Sequence, residues 1–222
     1  MIRLENITKS YVTPKGRHYV FQNLNAILPE YKSVGLLGKN GAGKSTLLRI
    51  IGGIDYPDFG EVYTNKTISW PVALSGGFQG SLTGRQNVRF VARLYAPEYK
   101  VKDVVDYVES FAELGKYYDM PIKSYSSGMR SRLGFGLSMA FDFDYYLLDE
   151  VGAVGDANFR KKSQELLIDL KKNSNIIMVS HNLSDLIRNC DVGFVVQDGK
   201  ASYFDDINEA VEVYREYALG TN

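Results

Sequence analysis

Apolar residues in this chain gather in two ways, as short continuous runs and as stripes that recur every three or four positions. Short runs read as buried strands, whereas spaced stripes read as helices with one face on a core. Residues 33–37, 143–148, 175–180 and 192–196 are runs of the first kind, with 33–37 reading as a parallel strand. Residues 2–7 and 19–28 read as strands around a turn at Pro14-Lys15-Gly16, which predicts an antiparallel edge. A helix with Leu47, Leu48, Ile50 and Ile51 on its apolar face follows, ended by Gly52-Gly53, and then two short strands at 61–63 and 67–70. Residues 201–204 return from 192–196 through Asp198-Gly199 as a closing hairpin.

From 84 to 140 the spacing is helical. Val101, Val104, Val105, Val108, Phe111 and Ala112 form one stripe, opposite Lys102, Asp103, Asp106 and Glu109. Arg89, Phe90, Arg93, Leu94 and Tyr95 make a more basic and aromatic helix, whose outer face suits either solvent or a docked partner. Another helix opens at Tyr125-Ser126-Ser127-Gly128-Met129 and runs to about Ala140, and Asp156 reads as the cap of the next. Ala210, Val211, Val213, Tyr214 and Tyr217 are expected to line a last amphipathic helix. Residues 71–83 carry Gly76, Gly77 and Gly80 with Gln79 as the sole amide; γ-phosphate sensing, a partner contact and plain connection all suit such a loop.

Composition narrows the class. A chain of 222 residues has room for one α/β domain with a small inserted subdomain. Twenty-six basic and 26 acidic residues cancel, which removes the electrostatic footprint of sequence-independent nucleic-acid binding. Cys190 is the single cysteine, so no internal disulfide framework exists; a small buried residue in a reducing compartment is the expectation. The N-terminus has no apolar run of signal-peptide kind, and the longest weakly polar stretch, 133–141, falls short of the roughly 20 residues that span a bilayer. The expected location is the cytosol, or a membrane surface at which a partner holds the chain.

The chemistry begins at residues 34–51. Gly38, Gly43, Lys44 and Ser45 fit G-x-x-x-x-G-K-[ST], with Asn40, Gly41 and Ala42 between them, set between a strand and a helix as the motif requires. The glycines let the backbone curl its N–H groups toward one centre, and the dipole of the helix from Lys44 adds positive charge there. The ligand implied is a nucleotide polyphosphate, with Lys44 on the β- and γ-phosphates, the Ser45 hydroxyl on Mg²⁺ and Thr46 near the α-phosphate. Asp149 and Glu150 end the strand 143–148, and paired acids there are costly unless they face a cation or a cleft. Asp149 would hold Mg²⁺ and Glu150 accept a proton from an attacking water, which points to hydrolysis of the nucleotide. His181 follows the strand 175–180 on the ligand side of such a sheet, within reach of a γ-phosphate or else structural. Ser126 and Gly128 open a helix, as a cap or as an anion site. Tyr11 suits stacking on a nucleobase or packing at the sheet edge, and Tyr19 competes for the first role.

The order phosphate loop, helical insert, serine-glycine helix start, Asp-Glu strand and strand-terminal His resembles the ATP-binding subunit of an ABC transporter over the whole length. Gly16-Arg17-His18-Tyr19-Val20-Phe21, Ile68-Ser69-Trp70-Pro71, the run from Gly76 to Arg85, Tyr125 to Arg130 and Ala153-Val154-Gly155-Asp156 are similar to the ATPase of group 2 type capsular polysaccharide exporters in Gram-negative bacteria. The resemblance implies an α/β fold, a P-loop NTPase of ABC type with a mixed central sheet, an N-terminal antiparallel β subdomain and an inserted α-helical subdomain. It implies one ABC ATPase domain over 1–222, with a RecA-like core about 1–83 and 142–222 and a helical subdomain about 84–141.

The expected activity is ATP hydrolysis with Mg²⁺ by a homodimer that sandwiches two ATP molecules. Each would lie between the phosphate loop of one subunit and Ser126 to Gly128 of the other. By resemblance Tyr11 stacks on adenine, Glu150 is the catalytic glutamate, Asp156 the D-loop aspartate and His181 the switch histidine. The partner implied is an integral membrane permease at the cytoplasmic face of the bacterial inner membrane, with no nucleic acid and at most indirect contact with polysaccharide. Export of O-antigen or teichoic-acid type polymer remains the alternative. A soluble ABC ATPase would need a heptad insertion or two modules, which are absent, and a scaffold without hydrolysis would not need Lys44, Asp149, Glu150 and His181. Tyr125, Ser127 and Met129 replace the Leu, first Gly and Gln of the general L-S-G-G-Q signature, and the position that aligns with the family's Q-loop glutamine holds Leu74 or Ser75 rather than Gln79.

Overall fold

The computed structural model describes residues 1–72, 77–150 and 156–219. Leu74, Ser75, Gly76 and Ala153 to Gly155 therefore lie outside the described residues, and with them the expected Q-loop position. Strands β1 (Ile2–Thr13), β2 (Gly16–Leu28) and β3 (Val34–Leu37) lead to helix α1 (Lys44–Ile51), then β4 (Phe59–Thr64) and β5 (Ile68–Pro71). Helices α2 (Gly84–Tyr95), α3 (Val101–Ala112) and α4 (Ser127–Met139) precede β6 (Tyr145–Asp149) and α5 (Ala157–Leu170). The chain continues through β7 (Asn175–Val179), α6 (Leu183–Asn189), β8 (Val192–Gln197), β9 (Lys200–Phe204) and α7 (Ile207–Leu219).

The chain divides into two compact units, one of Met1–Pro71, Phe143–Glu150 and Leu170–Asn222, the other of Val72–Asp142 and Val151–Asp169. In the first, β2-β1-β4 form an antiparallel sheet and β5-β6-β7-β3-β8-β9 a six-stranded sheet that is parallel except for β9. This is the mixed central sheet and antiparallel β layer expected. β3 lies between β7 and β8, with Leu36 in register with Val179 and Phe194, and all four of its residues are buried. A strand covered on both faces needs a continuous apolar run, which is why 33–37 was legible. Pro71 sits on β5, an edge strand, where its missing N–H breaks no ladder.

β1 and β2 extend to a two-residue turn, Thr13 opposite Gly16, well beyond the limits 2–7 and 19–28 read from the pattern. Register shifts between Leu4 and Ser10, with Asn6 and Asn23 at φ 52° and 54°, break the alternation that marks a strand. Lys9 and Ser10 are buried polar residues there because Asp55 and Asp58 accept their hydrogen bonds. One helix also needs correction. In α7 Ile207, Ala210 and Val211 are buried and Tyr214 and Tyr217 partly so, but Val213 is exposed. At 100° per residue position 213 lies nearly opposite 211, so it falls off the stripe.

In the second unit every residue of the α3 stripe is buried. Phe111 stacks on Phe135 of α4 at 5.7 Å and meets Phe159 of α5 edge-on at 5.5 Å, pairings that add about 0.5–1.5 kcal/mol each beyond burial. Thr83 and Gln86 make a capping box at the start of α2. Arg85 reaches both Glu109 and Asp119 and lies over the Tyr118 ring at 4.7 Å. The glycine-rich loop is tied down where it is described: Asn87 accepts from the Gln79 N–H at 2.8 Å and donates back to the Gln79 and Thr83 carbonyls, while Lys123 N–H bonds Gly80 O. Gln79 is thus held by its backbone, with its side chain exposed.

Candidate active site

β3 ends at Leu37, and the chain turns through Gly38–Gly43 into α1. Gly41 and Gly43 have φ of 82° and 98°, a region in which any side chain is strained. Gly43 has a second reason to be glycine, since a Cβ there would lie 2.7 Å from Phe21 Cζ. At Gly41 the space is open. Ala42 N–H bonds Lys39 O at 3.1 Å, closing the turn, and the N–H groups of the first turn of α1 have no partner within the helix.

A cleft of about 410 Å³ forms over this loop. Its lining comes from Asn40, Gly41, Gly43, Lys44, Ser45 and Thr46, from Val20 of β2, and from Glu150 and His181 just past the ends of β6 and β7. The Lys44 ammonium is buried and donates to Gly38 O at 2.7 Å and Lys39 O at 3.0 Å. Burial pushes its pKa below the ordinary lysine value, while the carboxylates of Glu150 and Asp149 pull the other way. Ser45 Oγ donates to Asp149 Oδ1 at 3.2 Å. Burial raises the Asp149 pKa, the Ser45 hydrogen bond opposes that rise and the Glu150 charge adds to it.

Glu150 sits at φ 56° with its N–H on Val179 O at 3.0 Å, so the backbone turns sharply as it leaves the sheet. Its Oε1 lies 2.8 Å from His181 Nε2, both side chains being about half exposed. This puts a carboxylate and an imidazole in contact at the mouth of the cleft, groups chemically able to accept a proton and to orient a neighbour. Ser45 and Asp149, a hydroxyl and a carboxylate in contact, form an oxygen donor pair of the type that suits Mg²⁺.

The structure therefore brings Gly38, Asn40, Gly41, Gly43, Lys44, Ser45, Thr46, Asp149, Glu150 and His181 together in one unit. Ala42 lines a neighbouring hollow with His18, Tyr19, Asp198 and Lys200. Tyr11 is elsewhere: its hydroxyl donates to Asp55 Oδ2 at 2.7 Å and Lys9 Nζ lies 5.1 Å from its ring centre. Of the two tyrosines it is Tyr19 that borders the phosphate loop. Ser126, Gly128 and Asp156 belong to the second unit. Ser126 Oγ caps α4 by accepting from Met129 N–H at 3.2 Å, a Cβ at Gly128 would meet the Ser126 hydroxyl oxygen at 3.9 Å, and Asp156 caps α5 while pairing with Arg132. Val20 was not expected at the site; it arrives through β-sheet register, for which no local signal exists.

A family model described as ABC transporter matches residues 21–153. The chain is 61% identical to the polysialic acid transport ATP-binding protein KpsT of Escherichia coli, over 98% of this chain and 97% of that protein. It is 44% identical to the capsule polysaccharide export ATP-binding protein CtrD of Neisseria meningitidis, over 96% of this chain and 98% of that one. The fold matches that of the dimeric ATP-binding cassette MJ0796, solved with ADP and phosphate, at a TM-score of 0.77 and 22% identity, over 93% of this chain and 99% of that chain. Phosphate loop, Asp-Glu strand end and strand-terminal histidine, assembled on that fold and matched by the family model over more than half the length, make this chain a member of the ABC transporter family.

Proposed function

We propose that the chain is the ATP-hydrolysing subunit of an exporter that moves capsular polysaccharide across the inner membrane. One observation carries the hydrolytic part: the phosphate loop, the Ser45–Asp149 pair and the Glu150–His181 pair converge on one cleft. The polymer class follows from near full-length similarity to proteins named for polysialic acid transport and capsule polysaccharide export.

In this reading the N–H groups of residues 43–46 and the Lys44 ammonium bind the β- and γ-phosphates of ATP. Ser45 and Asp149 hold Mg²⁺, which when bound offsets phosphate charge. Glu150 accepts the proton of the attacking water, and His181 keeps the Glu150 carboxylate aimed while reaching the γ-phosphate. Lowered lysine pKa and raised aspartate pKa both express the cost of burying charge, a cost that a bound nucleotide and cation would relieve. Two copies would close head to tail, with Ser126 and Gly128 of one over the phosphate loop of the other and Asp156 nearby. The exposed Ser126 cap, with its hydroxyl beside Gly128, supports that role. Tyr11, held by Asp55, is the aromatic assigned to adenine by resemblance, with Tyr19 the nearer alternative.

No helix among the described residues is long and apolar enough to cross a membrane, and in this reading a separate permease forms the path through it. The exposed Phe90, Leu94 and Tyr95 on α2 support docking of that permease on the second unit, at the cytoplasmic face of the membrane. Deleting the gene tests the reading: polymer should accumulate inside cells, visible by antibody only after permeabilisation. Normal surface polymer in the deletion strain would refute export.

A further inference from the structure

Among the described cation–π pairs the shortest joins the phosphate loop to the last helix, with Lys39 Nζ 4.2 Å from the centre of the Tyr217 ring. Lys39 is a hub of that loop. Its carbonyl accepts both the Ala42 N–H at 3.1 Å and the Lys44 ammonium at 3.0 Å. Of the two carbonyls that hold Lys44, those of Gly38 and Lys39, one thus belongs to the residue whose side chain lies on Tyr217.

α7 is well placed to bring Tyr217 to Lys39. At its start Ile207 N–H bonds Asp191 O, and Asp191 in turn bonds Ser33 at the beginning of β3. From there the helix lies close along the sheet, because Gly35 and Gly193 leave no side chain in its path: a Cβ at Gly35 would stand 2.7 Å from Ile207 Cδ1. Ten residues of helix from 207 to 217 advance about 15 Å, and four of strand from 33 to 37 about 13 Å, so Tyr217 arrives just past the loop end of β3. In the last turn of α7, where carbonyls lack partners, a cation is also favoured by the helix dipole.

We infer that Tyr217 is a positioning residue for the nucleotide site, acting through Lys39 on the loop that carries Lys44. This rests on the reading of that loop as the ATP site. The test uses the full chain and binding of fluorescent ADP with Mg²⁺, which separates affinity from turnover. Tyr217→Leu should weaken ADP binding about two- to fivefold, the range of a partly exposed cation–π contact, with kcat at saturating ATP unchanged. Tyr217→Phe, which keeps the aromatic face, should bind as the parent does. In a Lys39→Met background Tyr217→Leu should have no further effect, whereas a merely structural tyrosine would cost the same in both backgrounds. Unchanged binding by Tyr217→Leu, or an equal loss in the Lys39→Met background, would overturn the inference alone. A parent chain that does not bind ADP would overturn the nucleotide reading and this inference with it.

Discussion

Replacing Glu150 by Gln isolates one charge. Gln keeps the length of the side chain, keeps an oxygen to accept from His181 Nε2 at the 2.8 Å now spanned by Glu150, and leaves untouched the N–H bond to Val179 that fixes the turn at φ 56°. Because both partners are about half exposed, losing the charge–imidazole attraction costs at most about 1 kcal/mol of stability, and the fold should survive. What disappears is the proton acceptor. A positioned general base is worth about 10² to 10⁴ in rate, or about 2.7 to 5.4 kcal/mol of barrier at 1.36 kcal/mol per tenfold. Steady-state phosphate release should therefore fall by that factor, while ATP binding persists through Lys44, Ser45 and Asp149. Closed dimers should then accumulate on gel filtration with ATP and Mg²⁺, since reopening depends on hydrolysis. A variant that turns over near the parent rate, or that stays monomeric, would show that Glu150 is a structural carboxylate and that another group activates the water.

Three further outcomes are expected. Ser126→Arg or Gly128→Asp should abolish hydrolysis yet leave ATP affinity of the monomer nearly intact, and a joint loss of both would refute a phosphate contact made across the dimer. Asp149→Asn should raise the thermal midpoint at pH 7 while removing Mg²⁺-dependent turnover. The folded-state pKa of Asp149 is raised, so ionising it weakens the fold as pH climbs above the ordinary carboxylate range; the gain should vanish in acid, and an equal or lower midpoint at neutral pH would count against buried charge as the cause. Crosslinkers placed at Gln79 or Arg93 should capture an integral membrane protein in cells, whereas capture only from α7 would move the interface.

The parts of the site that were legible in sequence are those written within a few residues. Gly38 to Thr46 announces a phosphate loop because the backbone itself forms the site, and an apolar run ending in Asp149-Glu150 needs a cleft to face. Contacts set by long-range packing were not legible. Nothing near Tyr11 in sequence points to Asp55, nothing near Arg85 points to Glu109 and Asp119, and Lys9 and Ser10 hid the far half of β1 because their acids lie more than forty residues away. Val213 failed for a simpler reason: in a short helix ending in tyrosines, an apolar residue off the stripe looks like one on it.

Asn87 uses a single buried amide to hold the Gln79 peptide on both its N–H and its carbonyl, while also bonding Thr83 at the head of α2. A push delivered at Gln79 thus reaches the helix without slack, because bending between them would leave a buried amide unpaired at about 1–3 kcal/mol. Gln79 and the head of α2 are coupled, so that displacing one without the other sacrifices the hydrogen bonds of Asn87.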